Sequence, residues 1–347
     1  MRMRILVTGS HGYIGSVLAP ILAGAGHDVV GLDTCFYRGC DFGDELATIA
    51  TVQRDVRDVT AADFEGFDAV VHLAALSNDP IGDLNEQWTY DINLDATLRV
   101  ARAAKEAGVG RFVFASSCSM YGASGTDDLL DESAPLQPLT AYAESKVRAE
   151  EGLAALGDDG FAIVSMRNAT VYGVSPRLRL DIVLNNLAGW AHTTGRVRLL
   201  SDGRSWRPLV HVRDLSRVAV AMLEAPDELV AGEAFNVGSA DQNYLVRDLA
   251  EMLAEVTGCE VEFASDASPD PRSYRVDFSK LARALPSFAF EWDARGGSEE
   301  LVNAYRAVPL TTELFEGRRY VRLRQLRHLL DDGELGDGLR WADGASA

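Results

Sequence analysis

The stretch Arg4-Ile5-Leu6-Val7-Thr8-Gly9-Ser10-His11-Gly12-Tyr13-Ile14-Gly15 decides the fold. An apolar strand over Arg4–Thr8 enters a Gly-x-x-Gly-x-x-Gly loop, and an apolar-periodic helix follows from Tyr13 to about Gly24. Glycines at those positions permit a tight turn and let backbone N–H groups approach a pyrophosphate at the helix N-terminus. A second strand, Asp28–Asp33, ends on an acid. A carboxylate there can accept hydrogen bonds from both adenosine ribose hydroxyls and repels a 2′-phosphate. The reading is dinucleotide binding, with NAD favoured over NADP.

The same rhythm continues outward. Apolar strands are expected at Ala69–Leu73, Arg111–Ala115 and Phe161–Met166, and helices at about Asn93–Ala107 and Ala141–Leu156. Fully apolar strands alternating with helices imply a parallel sheet covered on both faces. The fold class is therefore α/β, a doubly wound (Rossmann) sheet whose ligands sit at the carboxyl ends of its strands. Residues 1–166 are assigned to the NAD-binding domain. From Arg167 onward Pro176, Pro208, Pro226, Pro269, Pro271 and Pro286 punctuate shorter elements, and 167–309 reads as a smaller C-terminal substrate-binding lobe. Part of 205–240, Ala234–Val237 above all, is expected to return to the main sheet. Residues 310–347 form an extension with a basic helix-like stretch and a Gly/Asp-rich end, and the sequence gives it no chemistry.

A length of 347 residues exceeds what one core usually holds. Apolar residues at 47% and charged residues at 24% exclude a disordered chain. Lys plus Arg number 33 against 52 acids, a charge of −19 that disfavours nucleic acid and anionic membrane surfaces. No apolar run approaches the roughly 20 residues of a membrane span. Cys35, Cys40, Cys118 and Cys259 show neither metal spacing nor a disulfide framework, which fits a metal-free protein of the reducing cytoplasm.

Two further motifs carry chemistry. Tyr142-Ala143-Glu144-Ser145-Lys146 places a tyrosine and a lysine one helical turn apart on one face. A tyrosine is a poor base at its free pKa of about 10 and needs a neighbouring cation to ionise near neutrality. A surface Tyr and Lys four apart would read the same way. Ser116-Ser117-Cys118-Ser119-Met120-Tyr121-Gly122 follows a strand, where small hydroxyls can bond a substrate alcohol; a plain Ser-rich turn is the alternative. Cys118 reads as a packed or lining thiol.

In order and spacing these motifs resemble the extended short-chain dehydrogenase/reductases, specifically the NAD-dependent nucleotide-sugar epimerases and dehydratases. Further segments extend the resemblance along most of the chain: Asp55-Val56-Arg57-Asp58, Val71-His72-Leu73-Ala74-Ala75, Asn93, Arg167 through Tyr172-Gly173, Trp206 through Asp214, and Phe235-Asn236-Val237-Gly238. The resemblance implies NAD held by Gly9, Gly12, Tyr13, Ile14, Gly15, Asp33, Asp55, Val56, Leu73, Ala74, Ala75, Asn93, Tyr142 and Lys146. It implies a catalytic trio: Tyr142 as base, Ser117 sharing the hydrogen bond, and Lys146 holding the nicotinamide ribose. It implies a nucleotide-diphosphate sugar met by Ser117, Cys118, Ser119, Thr170, Arg207 and Arg272, and a homodimer.

The departures narrow the reaction. In the 4,6-dehydratase branch an Asp and a Glu follow the catalytic hydroxyl; Cys118 and Ser119 stand here, which disfavours dehydration. Thr170 replaces the usual diphosphate asparagine, with Asn168 two residues earlier, and Pro208 replaces the Asp after the diphosphate arginine. From Arg167 to Arg217 nine arginines, no lysine and three acids sum to +6 inside a remainder of −25. An arginine fork suits a diphosphate, although most of these side chains are expected to be solvated or paired. Arg207 leads, then Arg272, with Arg177 and Arg179 behind. His72 and His211 read as structural, His11 as a cofactor neighbour or simply exposed, and Ser77 or Asp79 as facing the nicotinamide or sugar or as a bare turn. The leading function is an NAD-dependent nucleotide-sugar epimerase working through a 4-keto intermediate. The alternatives are dehydration, decarboxylation or net redox on the same scaffold, and a non-catalytic NAD-binding sensor.

Overall fold

The computed structural model describes residues 2–43, 47, 49–77, 84–123, 128–268, 270 and 272–342. Seven strands form the central sheet: β1 (Arg4–Thr8), β2 (Asp28–Asp33), β3 (Thr51–Gln53), β4 (Ala69–His72), β5 (Arg111–Ser117), β6 (Ala162–Asn168) and β7 (Ala234–Val237). Their order is β7-β6-β5-β4-β1-β2-β3, and every neighbouring pair is parallel. The chain leaves β1 in one direction toward β3 and returns past it to β4, so the switch point lies between β1 and β4. There the carboxyl ends open a crevice, where such sheets bind ligands.

Strand side chains alternate between two cores. Ile5, Val7, Val71 and Val113 pack with Leu18 and Leu22 of the first helix and Val218 and Met222 of another on one face. Leu6, Val70, Phe112 and Phe114 pack with Val100 and Ala104 on the other. That period of two, with both faces covered, is what the continuous apolar strands required. Three small sheets flank the main one: Thr170–Tyr172 with Trp206–His211 and Asn243–Leu245, Arg196–Ser201 with Glu260–Ser268, and Leu129–Leu130 with Arg275–Val276. A third core around Leu187, Leu209, Leu249 and Leu301 packs the helices of this lobe. β5 runs to Ser117, past the expected Ala115, so both serines extend the strand.

The C-terminal extension does not stand apart. Its helix Arg322–Asp331 buries Leu326 and Leu329, and Leu335 and Leu339 follow, all in the same core as Leu32, Phe36 and Val56. No helix among the described residues is long and apolar enough to cross a membrane.

His72 is structural. It is 1% exposed, and its ring nitrogens lie 2.7 Å from Thr8 Oγ1 and 2.9 Å from Thr97 Oγ1. Burial, aided by the Lys146 charge, pushes it down to about 3. The unfolded chain takes up this proton near the ordinary value of about 6.5 and the folded chain does not, so stability falls as pH drops through that window, by up to about 1.4 kcal/mol per pH unit. Urea unfolding of wild type and His72→Gln should therefore show a stability gap that narrows from pH 7.5 to pH 5. A gap independent of pH would mean that His72 titrates normally.

Candidate functional site

A cavity of about 1080 Å³ runs along the carboxyl ends of the strands and reaches into the lobe. At one end the backbone comes too close for side chains. Gly9 has φ of +71°, its N–H donates to Leu32 O at 2.8 Å, and a Cβ there would lie 2.8 Å from Ala74 N. A Cβ on Gly15 would strike the Gly9 carbonyl. The helix Gly15–Gly24 starts without a side-chain cap at Ile14, and the positive end of its dipole lies at the cavity, where an anion is favoured. Gly9, Gly12, Tyr13, Ile14, Gly15, Leu73, Ala74 and Ala75 all line the cavity.

Asp33 lines it too. Its oxygens accept from His11 N at 2.9 Å and Cys35 N at 2.7 Å, which fixes the carboxylate and leaves lone pairs for ribose hydroxyls. Asp55 and Val56 are present in the wall, but the Asp55 carboxylate is already engaged. Arg57 donates to it from Nε at 3.0 and 3.2 Å and from Nη2 at 2.6 Å, its own N–H adds a bond of 2.8 Å, and Arg340 lies 3.2 Å away. Asn93 does not line the cavity. Fully buried, it accepts from Leu76 N at 2.8 Å and donates to Leu76 O at 3.0 Å and Ser145 Oγ at 3.3 Å, tying the segment after β4 to the helix Ala141–Ala154. It supports the cofactor wall from behind.

The strand ends bring the reactive groups together. Ser117 closes β5 beside Asn168, its register partner on β6. Its hydroxyl accepts from Ser119 N at 3.2 Å and so caps a single tight turn, Cys118–Tyr121. That turn swings Cys118 into the core, fully buried, with its thiol donating to Arg167 O at 3.1 Å. Burial pushes the thiol well above its usual range. Cys118 therefore leaves the set of substrate residues, while Ser119 stays in the cavity wall.

Thr140 caps the helix Ala141–Ala154 by accepting from Ala143 N at 3.2 Å, and the helix aims Tyr142 and Lys146 inward. Lys146 is 3% exposed; its ammonium donates to Ala115 O at 2.7 Å and sits 4.6 Å over the Phe114 ring and 5.9 Å from the Tyr142 ring centre. Burial pulls it down to about 7, with Glu150 acting in the opposite sense. Three buried polar atoms here have no hydrogen-bond partner: Ser116 Oγ, Ser119 Oγ and Asn168 Oδ1. All three residues face the cavity, and such atoms are costly to leave unpaired. The cradle at Gly9 and these open partners fit NAD and a polar substrate.

At the far end Arg207 and Arg272 converge on Asp270, at 2.5 Å and 2.9 Å. Thr170 lies in the same wall. Arg179 lines the cavity paired to Asp181 at 2.9 Å and donating to Ser77 Oγ at 2.9 Å, whereas Arg177 lies outside it against Asp41. Asp79 falls outside the described residues. His11 is held by Thr51 and Cys35, and His211 by Glu300 at 2.9 Å. Sequence reasoning named Ser116 only as part of the Ser-rich segment, passed over Arg322, and noted Asn168 only as a displaced asparagine. Its pairing opposite Ser117 was the available signal, since neighbouring parallel strands end together. Arg322 reaches the cavity from the extension and carries no motif.

Residues 5–238 match the NAD dependent epimerase/dehydratase family. The chain is 30% identical over 305 residues to a UDP-glucose 4-epimerase of Corynebacterium glutamicum, covering 82% of this chain and 90% of that protein. It is 30% identical over 304 residues to a dTDP-glucose 4,6-dehydratase of Streptomyces griseus, covering 82% and 89%. Among solved structures, MoeE5 in complex with UDP-glucuronic acid and NAD superposes with a TM-score of 0.76 at 28% identity, covering 88% of this chain and 99% of that one.

Proposed function

The chain belongs to the NAD-dependent epimerase/dehydratase family, and we propose that it is a nucleotide-sugar 4-epimerase acting through a transient 4-keto sugar. One observation carries this reading. Among the described residues, the wall at the catalytic end, formed by Ala115–Ser117, Ser119, Leu139, Thr140, Tyr142 and Lys146, holds a single base–cation pair and no carboxylate. Elimination of water asks for a second acid or base beside the sugar; Cys118 is turned into the core and Ser119 does not ionise usefully. One base suffices to take a hydroxyl proton and return it.

When bound, NAD supplies a reversible hydride acceptor. Tyr142 takes the proton from the sugar 4-hydroxyl, Ser117 shares that hydrogen bond, and Lys146 holds the ribose side of the cofactor and favours the ionised tyrosine. Ser119 and Asn168 offer neutral partners to the ring hydroxyls. The planar guanidinium forks of Arg207 and Arg272, both in the cavity wall, suit a diphosphate. The keto sugar then turns and is reduced on its other face, so NAD is regenerated within each cycle. Corynebacterium glutamicum UDP-glucose 4-epimerase and the NAD complex of MoeE5 support the reading. A homodimer is the assembly we assign to it.

The test uses the protein as purified with a panel of UDP- and dTDP-linked hexoses and uronic acids, with products resolved by NMR. The expected result is a C4 epimer with no net NADH, and NAD recovered from the denatured protein. A dehydrated or decarboxylated product, or NADH formed in step with substrate loss, would overturn it.

A further inference from the structure

We propose that the C-terminal extension, through residue 342, completes the adenosine part of the NAD site and sets how long NAD stays bound. The adenosine wall is made of two segments, Asp33–Tyr37 after β2 and Asp55–Asp58 after β3, and Asp33, Phe36, Tyr37, Asp55 and Val56 face the cavity. The extension grips both.

On the first segment, the Trp341 indole N–H donates to Thr34 O at 2.6 Å and the ring packs 5.7 Å from Phe36. Gln325 donates to Phe36 O at 3.2 Å. Arg322, 4% exposed, lies 4.0 Å over the Tyr37 ring, donates to Arg177 O at 2.8 Å and itself lines the cavity. On the second segment, Arg57 donates to Gly338 O at 2.6 Å and Leu339 O at 2.7 Å, and Arg340 pairs with Asp55 and Asp58. These bonds cross up to 307 positions of sequence to reach one pocket.

A pocket wall held on both segments cannot spread without breaking these bonds, and spreading is what releases a bound adenosine. Arg57 of the same segment, joined by Arg340 from the extension, takes up the Asp55 carboxylate, so an adenine amine finds its acceptors already committed, and the fit of the braced wall carries recognition instead. Affinity differences of this kind appear chiefly in the off-rate. The inference concerns NAD alone and holds whichever sugar is turned over.

The double variant Arg340→Ala/Trp341→Ala, close to the chain end, tests it. The holoprotein is mixed with excess fluorescent etheno-NAD and exchange is followed, with circular dichroism and melting of the NAD-free form alongside. NAD release about 10-fold faster than wild type, from a folded protein, is expected for the loss of a hydrogen bond and ring contact with an ion pair. Release within twofold of wild type from a folded variant would overturn the proposal and leave the extension a purely structural brace. If the double variant fails to fold, Trp341→Phe, which keeps an aromatic ring but loses the indole N–H and part of the ring area, is read by the same exchange. A rise of about threefold supports the clasp and an unchanged rate overturns it.

Discussion

Tyr142→Phe should lower kcat by about 100- to 10,000-fold, the span that a positioned general base contributes. The loss should come with little change in NAD content. The ring stays on a helix capped by Thr140, and the Gly9–Gly15 cradle, Asp33 and the Lys146 hydrogen bond to Ala115 O are untouched. The change removes one oxygen at the place where one proton must move, so kcat and kcat/KM should fall together, as for an interaction made only in the transition state. Single-turnover NADH formation with a nucleotide sugar, beside the NAD released on denaturation, reads both quantities. Turnover near wild type in the phenylalanine variant would remove Tyr142 from the mechanism.

The second large effect is at Lys146. Lys146→Met keeps length and apolar packing against Phe114 but deletes the cation 5.9 Å from the Tyr142 ring. A tyrosine with no neighbouring cation ionises only near its ordinary pKa of about 10, so activity at pH 7 should fall by about 100-fold or more. The sign of the pH effect is fixed. The base form is the active one, so the variant should regain rate steadily as pH rises toward 10, while the wild type works at neutral pH. The profile separates this role from a packing role, because a merely loosened site would lose rate equally at every pH. NAD affinity should also drop, since the ammonium is the group placed to meet the ribose.

Local signals carried the fold and the cofactor end. The glycine loop, Asp33 and the Tyr142–Lys146 pair each lie within one element or at its edge, so their chemistry follows from a few adjacent residues. Cys118 shows where that stops. Its neighbours in sequence are site residues, yet one tight turn capped by Ser117 rotates it into the core. Asp55 shows the second limit: it stands in the cavity wall, but Arg340, which shares its oxygens, lies far along the chain. Asn93 stands behind the cavity wall, because its amide is engaged by Leu76 and Ser145, contacts that no sequence motif records. Arg322 and Trp341 were beyond reach, since their partners are set by how the last helix docks.

That docking also orders events during synthesis. The two segments of the adenosine wall, ending at Asp58, leave the ribosome early, while the residues that brace them follow far later in the chain. At roughly 5–20 residues per second, the interval is on the order of 15–60 s. A nascent chain through that period has its glycine loop and its ribose acid but an unbraced pocket. The braced pocket thus forms only once Arg322 to Trp341 have emerged, and a ribosome-stalled fragment that stops short of Arg322 should release NAD faster than the longer chain.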